Sequence, residues 1–97
     1  MEKRSNKYHL TLSLKEYANG ETMPAKELGI EFENHDEIFS IIEKMKAKNL
    51  FDNESEATQF ALGLKLFGEI KLKHRKNPLF DEINEVFPIF MKKLKSL

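Results

Sequence analysis

Apolar and polar residues alternate strictly through YHLTLSL, residues 8–14. Tyr8, Leu10, Leu12 and Leu14 fall on one side; His9, Thr11 and Ser13 fall on the other. Period two marks a half-buried β-strand. LGIEFE, residues 28–33, alternates again, with Leu28, Ile30 and Phe32 on one face. The intervening EYANGETMPAKE carries turn signals at Asn19-Gly20 and Pro24 and is too long for a tight hairpin. Two strands with one apolar face each predict an antiparallel pair. Such a pair is marginal alone and must lie on helices or join another sheet.

From NHDEIFSIIEKMKAKN onward the apolar period lengthens to that of a helix. Ile38, Ile41, Ile42 and Met45 form one stripe. Asn34 is placed to cap this helix, with Glu37 three residues later as in a capping box, and Asp36 and Glu37 suit its positive start. A central helix is predicted from about Glu54 to Arg75. On a helical wheel Phe60, Leu64 and Phe67 lie together. Ala57, Ala61 and Gly68 flank them on one side, and Gly63, Leu66 and Ile70 on the other. Polar residues occupy only a narrow arc around Thr58, Lys65, Glu69 and Lys73. Apolar around most of its girth, this helix is expected at the centre, with Phe60, Leu64 and Phe67 shut inside. Gly63 and Gly68 each cost about 1 kcal/mol against Ala in a helix, so a closely approaching backbone is expected beside them.

Asn77-Pro78 ends the central helix. Phe80, Ile83, Phe87, Phe90, Met91, Leu94 and Leu97 then make a third helical stripe. Pro88 removes one backbone bond from it, but the stripe keeps its phase across the proline, favouring one kinked helix over two short ones. The fold class expected is α+β: a two-stranded antiparallel sheet followed by three helices, the central helix buried. It forms a single domain over residues 1–97, with residues 1–6 a flexible lead.

Composition narrows the class. Forty per cent hydrophobic residues, eight of them Phe, can build a small core, and a third of the residues are charged. The sequence has no cysteine, which excludes disulfides, thiolate metal sites and cysteine nucleophiles. No apolar run approaches the ~18 residues of a membrane helix. The start, MEKRSNKYHLTLSLKEY, has no continuous apolar segment of the secretory kind, so a cytoplasmic protein with no membrane partner is expected. Net charge is zero but unevenly spread: +3 over residues 1–15, −7 over 16–56 and +4 over 57–97. Such a layout either steers a partner or is partly neutralised within one fold.

Candidate chemistry is thin. Lys71, Lys73, His74, Arg75 and Lys76 crowd the end of the central helix, with Lys92, Lys93 and Lys95 further on. They form a candidate anion-binding patch for phosphate groups. The alternative is that cations simply sit well at a helix C-terminus. No Gly-rich phosphate loop, recognition-helix pattern or interleaved aromatic run accompanies them, which favours the stop-signal reading. His35, Asp36 and Glu37 suggest a metal or acid–base site, yet adjacent residues at a helix start splay apart, and capping accounts for them. His9 has a cross-strand route to Glu31 or Glu33. The three histidines lack metal-ligand spacing, no cofactor motif appears, and Ser13, Ser40 and Ser55 sit in no nucleophile motif.

At ENHDEIFSIIEKM, at LGLKLFGEIKLKHRKNPLF and at FMKKLK the chain resembles a small bacterial family known as domain of unknown function 3861. The resemblance runs from about Tyr8 to Lys95. It implies a small α+β bacterial protein, and it implies no activity and no site residues.

The function expected is therefore a small non-catalytic interaction module, self-associating through its sheet edge as a homodimer or meeting an unidentified protein partner. Binding of nucleic acid or a phosphorylated ligand through Lys71, Lys73, His74, Arg75 and Lys76 is the alternative. A small enzyme built on His9 or His35 ranks last.

Overall fold

The computed structural model describes residues 4–97. In order, the elements are β1 (Asn6–Leu14), β2 (Lys26–Asn34), α1 (Ile38–Ala47), α2 (Glu54–Lys73), a 3₁₀ turn (Pro78–Phe80) and α3 (Asp81–Ser96). Two antiparallel strands followed by three helices make the α+β fold expected from the pattern. The chain divides into two compact units, a hairpin ending at Asp36 and a helical unit over Glu37–Leu97.

In the hairpin, period-two alternation and register agree. Tyr8 faces Phe32, Leu10 faces Ile30 and Leu12 faces Leu28, so the apolar residues of both strands share one side. Tyr8 and Phe32 stack with ring centroids 5.2 Å apart. The connecting loop is held by Tyr17 N–H donating to the Glu21 carbonyl (2.7 Å) and Gly20 N–H to the Tyr17 carbonyl (2.8 Å). Gly20 has φ +91°, a conformation that residues with a Cβ rarely adopt, and this is why the Asn19-Gly20 pair reads as a turn. Both strands run longer than the alternation alone suggests. Asn6 belongs to β1 instead of a flexible lead; its Nδ2 lies 3.2–3.4 Å from the carbonyls of Asn34, His35 and Asp36. The first three residues of that lead lie outside the described residues.

The start of α1 corrects one expectation. Its cap is Glu37, whose carboxylate accepts from Ser40 N–H at 3.0 Å. Asn34 is instead a buried residue at the end of β2, and its Oδ1 accepts from Asp36 N–H at 2.9 Å. The short side chain closes a local turn two residues on, so the helix begins later than a box centred on Asn34 would place it. Lys48 is the C-cap of α1, and Asn49 follows in the left-handed region (φ 52°), where Asn is tolerated better than most residues.

α2 is capped by Asn53, which accepts from Glu56 N–H at 2.9 Å, while the Glu56 carboxylate reaches back to Asp52 N–H at 3.2 Å. Together they satisfy two donors at the entry to the helix. The helix stops at Lys73, two residues short of Arg75. α3 is a single helix that carries Pro88 inside it, as its unbroken stripe required.

The buried cluster of the helical unit is Met45 of α1, Ala57 and Ala61 of α2 and Leu94 of α3. Ile41, Ile42, Phe60, Leu64 and Met91 pack against it partly buried. α1 lies close on α2, whereas α3 stands further off. Aromatic rings fill the wider gap: Phe60 meets Phe90 at 6.3 Å between centroids, and Phe67 meets Phe80 at 6.1 Å and Phe87 at 6.0 Å.

The expectation that Phe60, Leu64 and Phe67 are sealed inside is overturned at residue level. Phe60 and Leu64 are half-buried, and Phe67 is 42% exposed. The wholly buried position on α2 is Ala61, at 0%. The other two helices cover two sides of α2, not its whole girth, so its apolar excess at Phe67, Ile70 and Leu72 is left exposed. The expected backbone neighbour of Gly63 and Gly68 is also absent: a Cβ at either position would meet nothing within 4 Å among the described residues.

These two findings set opposite outcomes for α2. Gly63→Ala and Gly68→Ala should each stabilise the fold by about 0.5–1 kcal/mol, because Ala gains helix propensity and meets no obstacle. Ala61→Leu should cost about 1–3 kcal/mol by overpacking the only fully enclosed site on the helix. Urea denaturation midpoints check both.

Candidate functional site

Two surfaces carry the polar chemistry that the sequence singled out. The first is the end of α2. Lys71 and Lys73 lie in its last turn, and His74 is its C-cap, donating its backbone N–H to the Ile70 carbonyl at 3.1 Å. Arg75 and Lys76 follow in a turn closed by Asn77 N–H donating to the His74 carbonyl at 2.8 Å. Asn77 then caps the 3₁₀ turn through Leu79 N–H at 2.9 Å. The cationic residues are thus brought together in sequence but do not share one task. Lys71 turns toward α3: its Nζ donates to Asn84 Oδ1 at 3.3 Å and sits 4.7 Å from the centre of the Phe87 ring. The Nδ2 of the same Asn84 donates to the Arg75 carbonyl at 3.0 Å. Lys73, His74, Arg75 and Lys76 are exposed.

Asn84 is the residue that sequence reasoning missed here. A polar residue in the apolar stripe of α3 was the available signal. It fastens α3 to the turn that follows α2 by donating to the Arg75 carbonyl. Lys71 therefore serves the fold through a hydrogen bond and a cation–π contact, and of the run only Lys73, His74, Arg75 and Lys76 are left exposed.

The second surface is the polar face of the hairpin. His9 Nδ1 lies 2.7 Å from Glu31 Oε1, and its Nε2 lies 3.1 Å from Thr11 Oγ1. The cross-strand route from His9 leads to Glu31, its register partner, and not to Glu33. The ring lies over Gly29, where a Cβ would come within 2.9 Å of His9 Cε1; the absent side chain makes room for the imidazole. Ser13 Oγ donates to Glu27 Oε1 at 2.9 Å, so a polar row runs along this face. The histidine–carboxylate pair is open to water, with side chains 57% and 79% exposed, and a solvated pair of this kind adds little energy. His35, Asp36 and Glu37 are exposed, and the Glu37 carboxylate is used as the α1 cap. Among the described residues no group of three His, Asp or Glu is arranged to hold a metal ion.

The opposite face of the hairpin is apolar and open. Leu12 is 66% and Leu28 54% exposed, and Ile30 is also exposed. Around Leu12, Leu14, Ala25 and Leu28 the surface forms a hollow of about 680 Å³. Among the described residues the sheet has two strands only, so the outer edge of each strand has no strand partner. No described helix is long and apolar enough to cross a membrane.

The distinction within the basic segment has a measurable consequence. Asn84→Ala, which loses the bonds to both Lys71 and Arg75, should cost about 1 kcal/mol of stability. Lys73→Ala and Lys76→Ala should stay within about 0.5 kcal/mol of wild type. Chemical denaturation of the three variants separates the fastening from the exposed cations.

Comparison with known proteins agrees with this architecture. No curated protein matches the chain. A crystal structure of a protein of unknown function (eca1910) from Pectobacterium atrosepticum SCRI1043, at 2.20 Å resolution, is similar with 34% sequence identity. The match covers 97% of this chain and 100% of that one, with a TM-score of 0.84. The model of the family described as "Domain of Unknown Function with solved-structure structure (DUF3861)" matches residues 6–96. The chain belongs to that family.

Proposed function

We propose that this protein is a non-catalytic cytoplasmic interaction module that self-associates through the edge of its hairpin. The observation that carries the reading is the hairpin itself: nine-residue strands, two open edges, and a side bearing exposed Leu12, Leu28 and Ile30. A long, apolar, unpaired strand is a template for another strand, and a two-stranded sheet gains most from a third and fourth.

The charges favour β1 over β2 as the joining edge. In antiparallel pairing of two β2 strands centred on Gly29 or Ile30, Glu27 would face Glu31 or Glu33 of the second copy, and like charges directly opposite destabilise a sheet. Pairing two β1 strands about Leu10 sets Tyr8 against Leu12, His9 against Thr11 and Lys7 against Ser13. No like charges meet, and the apolar faces become continuous. The absence of cysteine suits a reducing compartment, the basis for placing the module in the cytoplasm.

Sedimentation equilibrium across the micromolar range should report a dimer. Leu12→Lys should weaken it at least about tenfold by removing apolar area from both halves of the joint. Ser13→Lys should also weaken it, and more so at low salt, because it opposes Lys7 of the second copy while still facing Glu27 within its own hairpin. A wild-type monomer throughout that range, or a dimer indifferent to both substitutions, overturns the proposal.

A further inference from the structure

All three helices contribute to a half-open cavity of about 290 Å³ on the helical unit. Its floor is apolar: Ile41 and Met45 from α1, Leu64 from α2, and Met91 and Leu94 from α3. Its rim is cationic: Lys44 and Lys48 from the end of α1, Lys65 from α2 and Lys95 from α3. No acidic residue lines it among the described residues. Two of these cations are already engaged: Lys48 Nζ donates to the Leu97 carbonyl at 2.8 Å, and Lys65 has an interaction of its own. Lys44 and Lys95 are exposed, whereas Met45 and Leu94 of the floor are buried and Ile41, Leu64 and Met91 are half-buried.

We infer that this cavity binds a small amphipathic anion: an unbranched carboxylate of medium chain length, with its alkyl tail on the floor and its carboxylate among the lysines. Each half of the cavity constrains the choice. Inorganic phosphate would meet the rim but gain nothing from five apolar side chains. A neutral hydrocarbon would use the floor and leave the charges of Lys44 and Lys95 unanswered. Lysine suits this arrangement because its stem adds to the apolar wall while its head reaches solvent. Met45 and Met91 adapt to a flexible chain better than branched residues do. Size sets the length. At about 30 Å³ for each water-sized group, the cavity holds about ten such groups, near the lower end of ligand pockets. Leu64, expected from the sequence in a sealed interior, instead forms part of this floor.

Calorimetric titration with hexanoate, octanoate and decanoate, below their micellar concentrations, tests the inference. Affinity should rise about three- to fourfold for each added methylene until the cavity is full. Decanol should bind at least about tenfold more weakly than decanoate. The Lys44→Gln, Lys95→Gln double variant, both exposed positions that leave the fold intact by circular dichroism, should lose about tenfold toward decanoate and leave decanol unchanged. Amide chemical shifts on binding should move at Ile41, Leu64 and Met91. Absence of decanoate binding, equal binding of decanol, or shifts confined to residues outside the cavity overturns the assignment.

Discussion

The helical unit rests on two alanines. Ala57 and Ala61 lie one turn apart on α2, and both are buried. Their small side chains let α1 lie close on α2, with Met45 seated against them and Leu94 of α3 closing the cluster. A larger residue at either position would force the two helices apart, and packed cores tolerate added methylenes poorly. The remaining contacts follow from that choice of side. With α1 on the alanine face, the phenylalanines of α2 are left for α3, and ring-to-ring contacts hold α3 at a greater distance. The wider spacing leaves room beside Leu64 and Met91 for the cavity.

The order of elements was legible because each has an unmistakable period. Alternation gave both strands and even their common apolar face, since Tyr8, Leu10 and Leu12 meet Phe32, Ile30 and Leu28 without slippage. The stripe through Pro88 foretold one helix, because a proline costs one bond while an in-phase stripe gains burial on both sides of it. Burial along α2 was not legible. A helical wheel reports which residues are apolar, and it cannot report how many neighbours the chain has left to cover them. A short unit supplies neighbours for the alanine and phenylalanine sides only, and Ile70 and Leu72 are left exposed. The glycines misled for a related reason: Gly63 and Gly68 look like contact points, but no neighbour reaches them.

The candidate sites separate in the same way. The basic run at the end of α2 is plain in one dimension, yet its division of labour depends on Asn84, which lies outside the run and joins it only in three dimensions. Lys71 is drawn into the contact with α3, so the patch that reaches solvent is smaller than the run of letters suggests. His9 and Glu31 were traceable because strand register pairs them, while Gly29, which makes room for the ring, carries no signal of its own. The lysine-rimmed cavity left no trace in the sequence. Lys44, Lys48, Lys65 and Lys95 are spread over three helices and read individually as ordinary surface charge.

The hairpin poses the sharpest energetic question. Conformational entropy is lost along eighteen strand residues, and a two-stranded sheet recovers little of it, because each strand bonds on one side only. Its internal contacts, the Tyr8–Phe32 stack and the facing leucines, are real but leave Leu12, Leu28 and Ile30 substantially open. Proteins usually blunt such an edge with lysines, prolines or bulges. β2 carries Glu27, Glu31 and Glu33 on its polar face, whereas β1 presents Thr11 and Ser13 there and pairs without a bulge in a continuous register. β2 is thus negative along the whole of that face, whereas β1 has a single lysine there, Lys7, near one end. That asymmetry, rather than exposure alone, is what favours β1 over β2 as the joining edge in the proposed dimer.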